Sequence, residues 1–440
     1  MATPDRALLV FTRYPTAGRA KTRLIPRLGA EGAAQLHRHL TEQTLVTARQ
    51  GQGTYGIHIY TNGGRPADWR AWLGSDLDYR PQEAGDLGRR LHQGIRRVLR
   101  AGTQQVVVIG TDCPDLTPEH LAQAFGALQR ADLVLGPAVD GGYYLLGLRA
   151  DHPELFAGIA WGTDQVLSQT LTQATALSLT VVQLPQLTDI DRPEDLASWE
   201  QAAGRPVARL LEPRISVIIP TWNEVAGLEK TLARVQRAAD VEVIVVDGGS
   251  TDGTLAAAQA AGAQVLQSDR GRARQMNVGA AQATGEIFLF LHADTWLPPD
   301  YPQQVHQVLR NPTVGLGAFP LAIRSLDWRL GLVAWGVNQR SRWLGLPYGD
   351  QALFLWRRRF EAVGGFPEVP ILEDFLLVQN LGRQSRVRLA ATPVQTSARR
   401  WERLGVWATT RRNQQILWGY RCGVPLKILA ERYHQPPPKV

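Results

Sequence analysis

"IFLFLHADTWLPPDY", residues 287–301, decides the fold class. Its first five residues, Ile287 to Leu291, read as a buried strand. The run stops at His292, and Asp294 follows two residues later. "VVVIGTDCPDLTPEHL", residues 106–121, has the same order: apolar strand, Asp112, a proline, a helix start. Continuous apolar strands alternating with helices belong to mostly parallel sheets covered on both faces. Open sheets of that kind bind ligands beyond the carboxyl ends of their strands, where these ionisable groups sit. The chain writes the phrase twice, which predicts the same kind of site twice.

The rhythm continues outward from both stretches. In the first half "ALLVFT" is a short apolar run, "EGAAQLHRHLTEQTLVTA" has helical spacing, "YGIHIYT" alternates and "LGRRLHQGIRRVL" is helical. In "LTPEHLAQAFGAL", Thr117 is the expected N-cap, with Pro118 at the first helical position and Glu119 in the first turn. The second half restarts with "RISVIIPTWNE", "GLEKTLARVQRA" and "VEVIVVDGGSTDG" before reaching Ile287. The boundary falls in "QAAGRPVARLLEPR", residues 201–214, giving domains 1–205 and 206–440. The tail "HQPPPKV" reads as disordered or polyproline-like.

The 440 residues suffice for two cores of about 200 residues each, and 44% hydrophobic with 20% charged is ordinary globular composition. No apolar run nears the ~18 residues of a membrane span, and "MATPDRALLVF" shows no leader. Cys113 and Cys422 are far apart, so neither a disulfide framework nor a zinc site is expected, and the expected compartment is the cytoplasm. The net charge of +8 is uneven: residues 1–205 carry 20 Lys+Arg and 21 Asp+Glu, 206–320 carry 9 and 11, and 321–440 carry 19 and 8. The basic last quarter favours an anionic partner. No RNA-binding module accompanies it, so nucleic acid is not expected. "RLGVWATTRRNQQILWGYRCGVPLKILAERY" sets Trp407, Ile416, Leu417, Trp418 and Tyr420 among arginines. That pattern suits either a helix packed on the domain or peripheral contact with the inner face of a membrane.

In the second half three strands end in polar clusters: Thr221, Asn223 and Glu224; Asp247 with "GGSTD" behind it; and His292 with Asp294. Parallel strands would bring all three to one rim. Small residues there allow close backbone approach. Carboxylates would meet ribose hydroxyls, a base or a divalent metal, Mg²⁺ or Mn²⁺, shared with phosphates. Arg272 precedes a helix, near whose N-terminus a phosphate would sit. In the first half the loop "YPTAGRAKTRLIPRLG" puts Arg19, Lys21 and Arg23 after strand one, as a phosphate site would. Asp112, Asp115, Asp140, Asp189 and Asp191 stand at later strand ends. Asp112 with Asp191 makes the candidate Mg²⁺ pair.

The order "SVIIPTWNE", "VIVVDGGSTDGT", "GRARQMNVGAAQATGEIFLFLHADTWLPP", "GGF", "ILEDFLL" resembles glycosyltransferase family 2, from about Arg214 to Tyr433. The resemblance implies a GT-A fold, a nucleotide-diphosphate sugar donor and inversion. It places Asp247 at the nucleoside, Asp294 at the metal, Asp374 as the base that deprotonates the acceptor hydroxyl, and Arg400 and Trp401 at the diphosphate and acceptor. Two positions depart from the family: Gly248 stands where it usually has a second aspartate, and His292 stands where its metal motif has the first. "FLHADTWLPP", "YGDQALF" and "RRWERLGV" look closest to a subgroup associated with arsenosugar biosynthesis and radical-SAM or selenoprotein gene neighbourhoods. The acceptor is then an unidentified small molecule or lipid.

Residues 6–200 resemble a second GT-A-like family, through "GRAKTRL", "GTDCPDL", "GPAVDGGYYLLGL", "WGTDQVL" and "DIDRPEDL". The same features are similar to sugar-phosphate or molybdopterin-type nucleotidyltransferases. The expected fold is therefore two tandem GT-A-like, Rossmann-like α/β domains. The expected function is glycosyl transfer, with a second nucleotide-sugar domain at the N-terminus. The alternatives are a two-step enzyme whose first domain is a nucleotidyltransferase, and a degenerate nucleotide-binding or membrane-surface module.

Overall fold

The computed structural model describes residues 5–203, 206, 207, 212–236, 238 and 240–434. Most of the expected polyproline-like tail and part of the 201–214 segment lie outside them. The chain divides into two compact units, Met1–Leu211 and Glu212–Val440.

The first unit holds a seven-stranded sheet of β1 (Arg6–Arg13), β2 (Gly56–Asn62), β3 (Asp78–Pro81), β4 (Gln105–Ile109), β5 (Leu133–Pro137), β6 (Tyr143–Leu148) and β7 (Val181–Gln183). The spatial order is β3-β2-β1-β4-β6-β5-β7. All neighbours are parallel except β6, which runs antiparallel to both β4 and β5. The two-residue period of a strand sorts β1 onto two cores. Leu8 and Val10 join Ile59, Trp69, Val107 and Phe125 on one face. Ala7, Leu9 and Phe11 join Tyr60, Ile95, Val106 and Leu146 on the other. Each fully buried Leu, Val or Phe contributes about 1.5–3 kcal/mol. The helix Pro118–Ala127 starts as expected at Thr117, whose N–H donates to His120 Nδ1 at 3.2 Å.

The second unit repeats the plan. Its strands are β8 (Ile215–Thr221), β9 (Val241–Asp247), β10 (Gln264–Gln267), β11 (Ile287–Phe290), β12 (Thr295–Trp296), β13 (Val314–Ala318), β14 (Leu321–Arg324), β15 (Phe354–Trp356), β16 (Arg386–Leu389) and β17 (Val394–Ser397). The main sheet runs β10-β9-β8-β11-β15-β13-β16, with β15 antiparallel to its neighbours. Rank by rank this is the strand order of the first unit. β12, β17 and β14 form a small additional sheet. Ile215, Val217, Ile219, Ile287 and Leu289 face one core; Ile218, Val246, Phe288 and Phe290 face the other.

In each unit the chain winds outward from the first strand on one side and then crosses to the other. That leaves a crevice at the carboxyl ends of β1 and β4, and another at those of β8 and β11. Ile287–Phe290 therefore ends in an ionisable pair because the strand ends at this switch point. Among the described residues no helix is long and apolar enough to cross a membrane.

Candidate functional site

The first unit's crevice is a cleft of about 590 Å³. Arg13 at the end of β1, Thr111 and Asp112 after β4, Asp140, Tyr143, Trp161, Asp189 and Asp191 line it, together with Arg19, Lys21 and Arg23 of the basic loop. Lys21 sits in the left-handed region (φ 47°, ψ 48°), which turns its side chain inward. Its Nζ lies 2.6 Å from Asp112 Oδ1 and 2.7 Å from Asp191 Oδ1, and donates to Ile190 O at 2.6 Å. The two aspartates expected to share a metal thus share a lysine ammonium. Burial alone would lower the Lys21 pKa; Asp112 and Asp191 outweigh it and raise it. Arg23 is farther out, 3.7 Å from Asp191 Oδ2. Asp140 accepts from Gly142 N at 2.8 Å and shapes the turn on the cleft wall. Gly141 (φ 86°) must be glycine there, because a Cβ would lie 2.2 Å from Asp164 O. Burial, with Asp140 and Asp191 nearby, raises Asp189 to about 6. His37 also lines the cleft and was not legible in the sequence, because it belongs to a helix far along the chain from Asp112. It is buried, bonded to Arg13 O at 2.8 Å, and its pKa is lowered by that burial.

The second unit's cleft measures about 730 Å³. Thr221, Glu224, Arg272, His292, Asp294, Asp374, Arg400 and Trp401 all line it. Asp374 lies in the first turn of the helix Glu373–Gln384, where the helix dipole favours a carboxylate. Its Oδ2 accepts from Gly349 N at 2.6 Å and its Oδ1 from Phe375 N at 2.7 Å. Leu372, just before it, is left-handed (φ 67°) and packs in a cluster with Ile371, Ile416 and Leu429. Four of the six non-glycine residues with positive φ among the described ones, Lys21, Asn223, Ala352 and Leu372, belong to segments at the two crevices. Such conformations cost about 1–3 kcal/mol each and are held by surrounding structure.

Gly349 is tied to this arrangement by space rather than by φ. A Cβ there would stand 3.0 Å from His292 Nε2 and 3.1 Å from Asp374 Oδ2. Gly349→Ala should therefore displace the carboxylate and lower turnover by about 10–100-fold, with donor affinity and melting temperature little changed. Steady-state kinetics beside a melting curve check this; unchanged turnover would show that Asp374 needs no such support. His292 is pushed down to about 4 by burial and by Arg272, so it is neutral at pH 7 and able to act as a ligand. Burial raises Asp350 to about 6, and its Oδ1 has no hydrogen-bond partner among the described residues. Arg400 is lowered to about 10 by burial and by Arg272, Arg412 and Arg403. Arginines gathered this closely favour a bound anion. Val369, Ile371, Leu372, Ile416, Leu417 and Trp401 form an apolar wall of the same cleft.

Two of the expected donor-binding residues lie outside the lining. Asp247 and Asn223 do not line the cleft. Asp247 is 1% exposed; its Oδ2 accepts from Gly249 N and Ser250 N at 3.0 and 2.8 Å, and its Oδ1 accepts from Thr221 Oγ1 at 3.2 Å. Asn223 Oδ1 accepts from Thr251 N at 2.8 Å. Both side chains hold the turns after β8 and β9. Arg399, which the sequence does not single out beside Arg400, makes the ion pairs: its Nη2 is 2.7 Å from Glu224 Oε2 and 3.3 Å from Asp294 Oδ2. The adjacent pair in "SARRW" was the available signal. Within the basic segment 403–433, Ile416, Leu429 and Ala430 are buried in a cluster with Ile371, while Trp407 and Trp418 stay exposed.

Residues 44–163 match a family described as an uncharacterized protein conserved in bacteria (DUF2064), and residues 216–349 match glycosyl transferase family 2. A phosphoenolpyruvate guanylyltransferase of Chloroflexus aggregans is 30% identical over 193 residues, 42% of this chain and 93% of that one. Through its N-terminal unit, the chain belongs to that family. An uncharacterized glycosyltransferase of Mycobacterium tuberculosis is 39% identical over 105 residues, 22% of this chain and 40% of the relative's length. A crystal structure from Desulfovibrio desulfuricans, provisionally described as a nucleotide-diphospho-sugar transferase, has a TM-score of 0.44 at 33% identity, covering 47% of this chain and 91% of that one.

The departure at position 248, within the stretch that matches glycosyl transferase family 2, has a spatial reason. A Cβ on Gly248 would lie 3.1 Å from Gln275 Nε2 and 3.3 Å from its Oε1. The Gln275 amide donates to Thr221 O and Val246 O, both at 2.8 Å, joining the ends of β8 and β9. The space of the usual second aspartate is taken by this glutamine.

Proposed function

We propose that the C-terminal unit transfers a sugar from a nucleoside-diphosphate donor to an acceptor hydroxyl, with inversion. The carrying observation is a single cleft that holds a backbone-anchored carboxylate, Asp374, together with the arginines 272 and 400. Asp374 takes the proton of the acceptor hydroxyl as that oxygen bonds to the anomeric carbon. The bond from that carbon to the diphosphate breaks, and the electron pair leaves with the nucleoside diphosphate. Arg272 and Arg400 offset the charge that develops on it. Thr221 and Glu224 border the donor, and Trp401 with the apolar wall receives the body of the acceptor.

For the N-terminal unit, kinship with a guanylyltransferase favours nucleotidyl transfer over a second glycosyl transfer. A phosphate oxygen of the substrate would attack the α-phosphorus of a nucleoside triphosphate, and pyrophosphate would leave. Arg19, Lys21 and Arg23 hold the triphosphate, and Asp140 borders the same cleft. The product, a nucleoside-diphosphate compound, is of the class the second cleft uses. The chain offers a hard divalent cation two pairs of ligands and no set of three among the described residues. One pair is Asp112 and Asp191, between which the Lys21 ammonium now sits at 2.6 and 2.7 Å; the other is Asp294 with the neutral His292. Substrate phosphates would have to complete either shell. Mg²⁺ or Mn²⁺ held by these residues would supply positive charge to the phosphate oxygens.

Calorimetric titration with UDP-, GDP- and ADP-sugars and with nucleoside triphosphates, in Mn²⁺, tests both assignments. Asp294→Ala should abolish only the binding of nucleotide sugars, and Asp112→Ala only that of triphosphates. If nucleotide sugars alone bind, each substitution removing one of two sites, the N-terminal unit is a second glycosyltransferase instead.

A further inference from the structure

Thirteen large hydrophobic side chains are exposed among the described residues, and six of them lie between Leu326 and Leu344. The helix Trp328–Leu344 buries Leu330, Ala334 and Ser341. At about 100° per residue those three fall in a stripe roughly 40° wide. Trp328, Leu332, Trp335 and Trp343 fall in a second stripe, roughly 80° wide, on the opposite side. The three tryptophans are 71%, 63% and 82% exposed. A helix serving only its own core would carry its largest apolar groups inward. This one turns them outward and packs through small ones.

Leu330 seats the helix against Ala398 and Val406. Val406 opens the helix Val406–Arg421, which exposes Trp407 and Trp418. Charge narrows the kind of partner. Residues 321–440 hold 19 basic and 8 acidic residues, a net of +11. Arg342, Arg411, Arg421 and Lys427 are exposed. Asp327, which precedes Trp328 in the chain, is engaged by Arg329 at 2.7 Å. Exposed Trp among Arg and Lys matches the chemistry of a bilayer interface, with an apolar body below and anionic headgroups above. The 17 residues span about 26 Å and include three arginines, so the helix suits lying on a bilayer rather than crossing it.

We propose that the C-terminal unit docks on an anionic lipid bilayer through the outer face of Trp328–Leu344. The tryptophans enter at headgroup depth, and the neighbouring basic residues meet lipid phosphates. The proposal does not depend on the sugar-transfer reading, since none of these tryptophans lines the cleft.

The full chain is sedimented with vesicles of phosphatidylcholine alone and with vesicles also containing phosphatidylserine. Binding should require the anionic lipid and weaken with salt. Tryptophan emission should shift to the blue and be quenched by brominated acyl chains. Trp328→Ala/Trp335→Ala/Trp343→Ala should lower partitioning at least ~10-fold and leave nucleotide-sugar binding intact. Equal binding of the triple variant, or no binding by the wild type, overturns the proposal. So does a wild-type dimer that the triple variant dissolves, because a second copy then covers the face. Loss of nucleotide-sugar binding in the wild type would bear on the sugar-transfer reading and leave this one standing.

Discussion

Asp374→Asn should lower the turnover of sugar transfer by about 10²–10⁴-fold, the usual worth of a positioned general base. The substitution keeps the shape of the side chain. One carbonyl oxygen can still accept from Gly349 N, so the loop at residues 349–351 should stay in place. The amide nitrogen would face the Phe375 N–H, which costs about 1 kcal/mol at most in this partly exposed turn. What is lost is a basic oxygen for the acceptor's proton. Arg272 and Arg400 are untouched, so the donor dissociation constant should hold within a few-fold. Product formation measured beside donor binding separates the two. Wild-type turnover in this variant would remove Asp374 from the mechanism and assign the proton transfer to another group of the cleft.

The second large effect is expected at Lys21. Lys21→Met removes the ammonium and leaves Asp112 and Asp191 facing each other. Breaking a fully buried pair costs about 3–5 kcal/mol. These carboxylates are 43% and 36% exposed, so water screens them and about 2 kcal/mol is the expected loss. For a unit of this size that lowers the melting temperature by roughly 4–8 °C. The pH dependence follows from Asp112. Partial desolvation on the cleft floor would by itself raise its pKa, although the side chain still reaches solvent; Lys21 overrides this and holds it below the ordinary 3.8. The wild type's advantage is therefore present above about pH 4 and fades as the pH falls through the depressed value. Triphosphate binding should weaken at the same time. An unchanged melting temperature at pH 7 would mean that the ion pairs are worth nothing.

The architecture was open to a reader of the sequence, because β4 and β11 are apolar on both faces and end in aspartates. That pattern has one common solution, a mostly parallel sheet with its ligand at the strand ends. The reversed strands β6 and β15 carried no such signal, since direction depends on partners distant in sequence. The clefts were legible wherever a residue follows a strand directly, as with Asp112, His292 and Asp294. They were obscure wherever a turn consumes its own polar groups. Asp247 looked like a ligand contact because four small or polar residues follow it. Those same residues supply the donors that satisfy it. Lys21 and Arg399 were harder again: their cationic role rests on carboxylates 91 to 175 residues away. The exposure of the tryptophans of residues 328–343 carries no signal in the sequence, because spacing shows that a face is apolar but not which way it points.

The shared strand order has a consequence for how each unit comes to be folded. The first strand of each sheet lies near its middle, yet one of its neighbours is made much later: Ala7 pairs with Val106, and Ile215 with Ile287. Local hairpins cannot nucleate such a centre. The chain must close long loops before the middle of either sheet exists, which puts both units among slow folders, with milliseconds to seconds as the natural scale. During synthesis β1 emerges while most of its sheet is still unmade; β2 can cover one edge, but the other stays open until β4 arrives. That interval, set by topology alone, is when this protein is most exposed to chaperones and to aggregation.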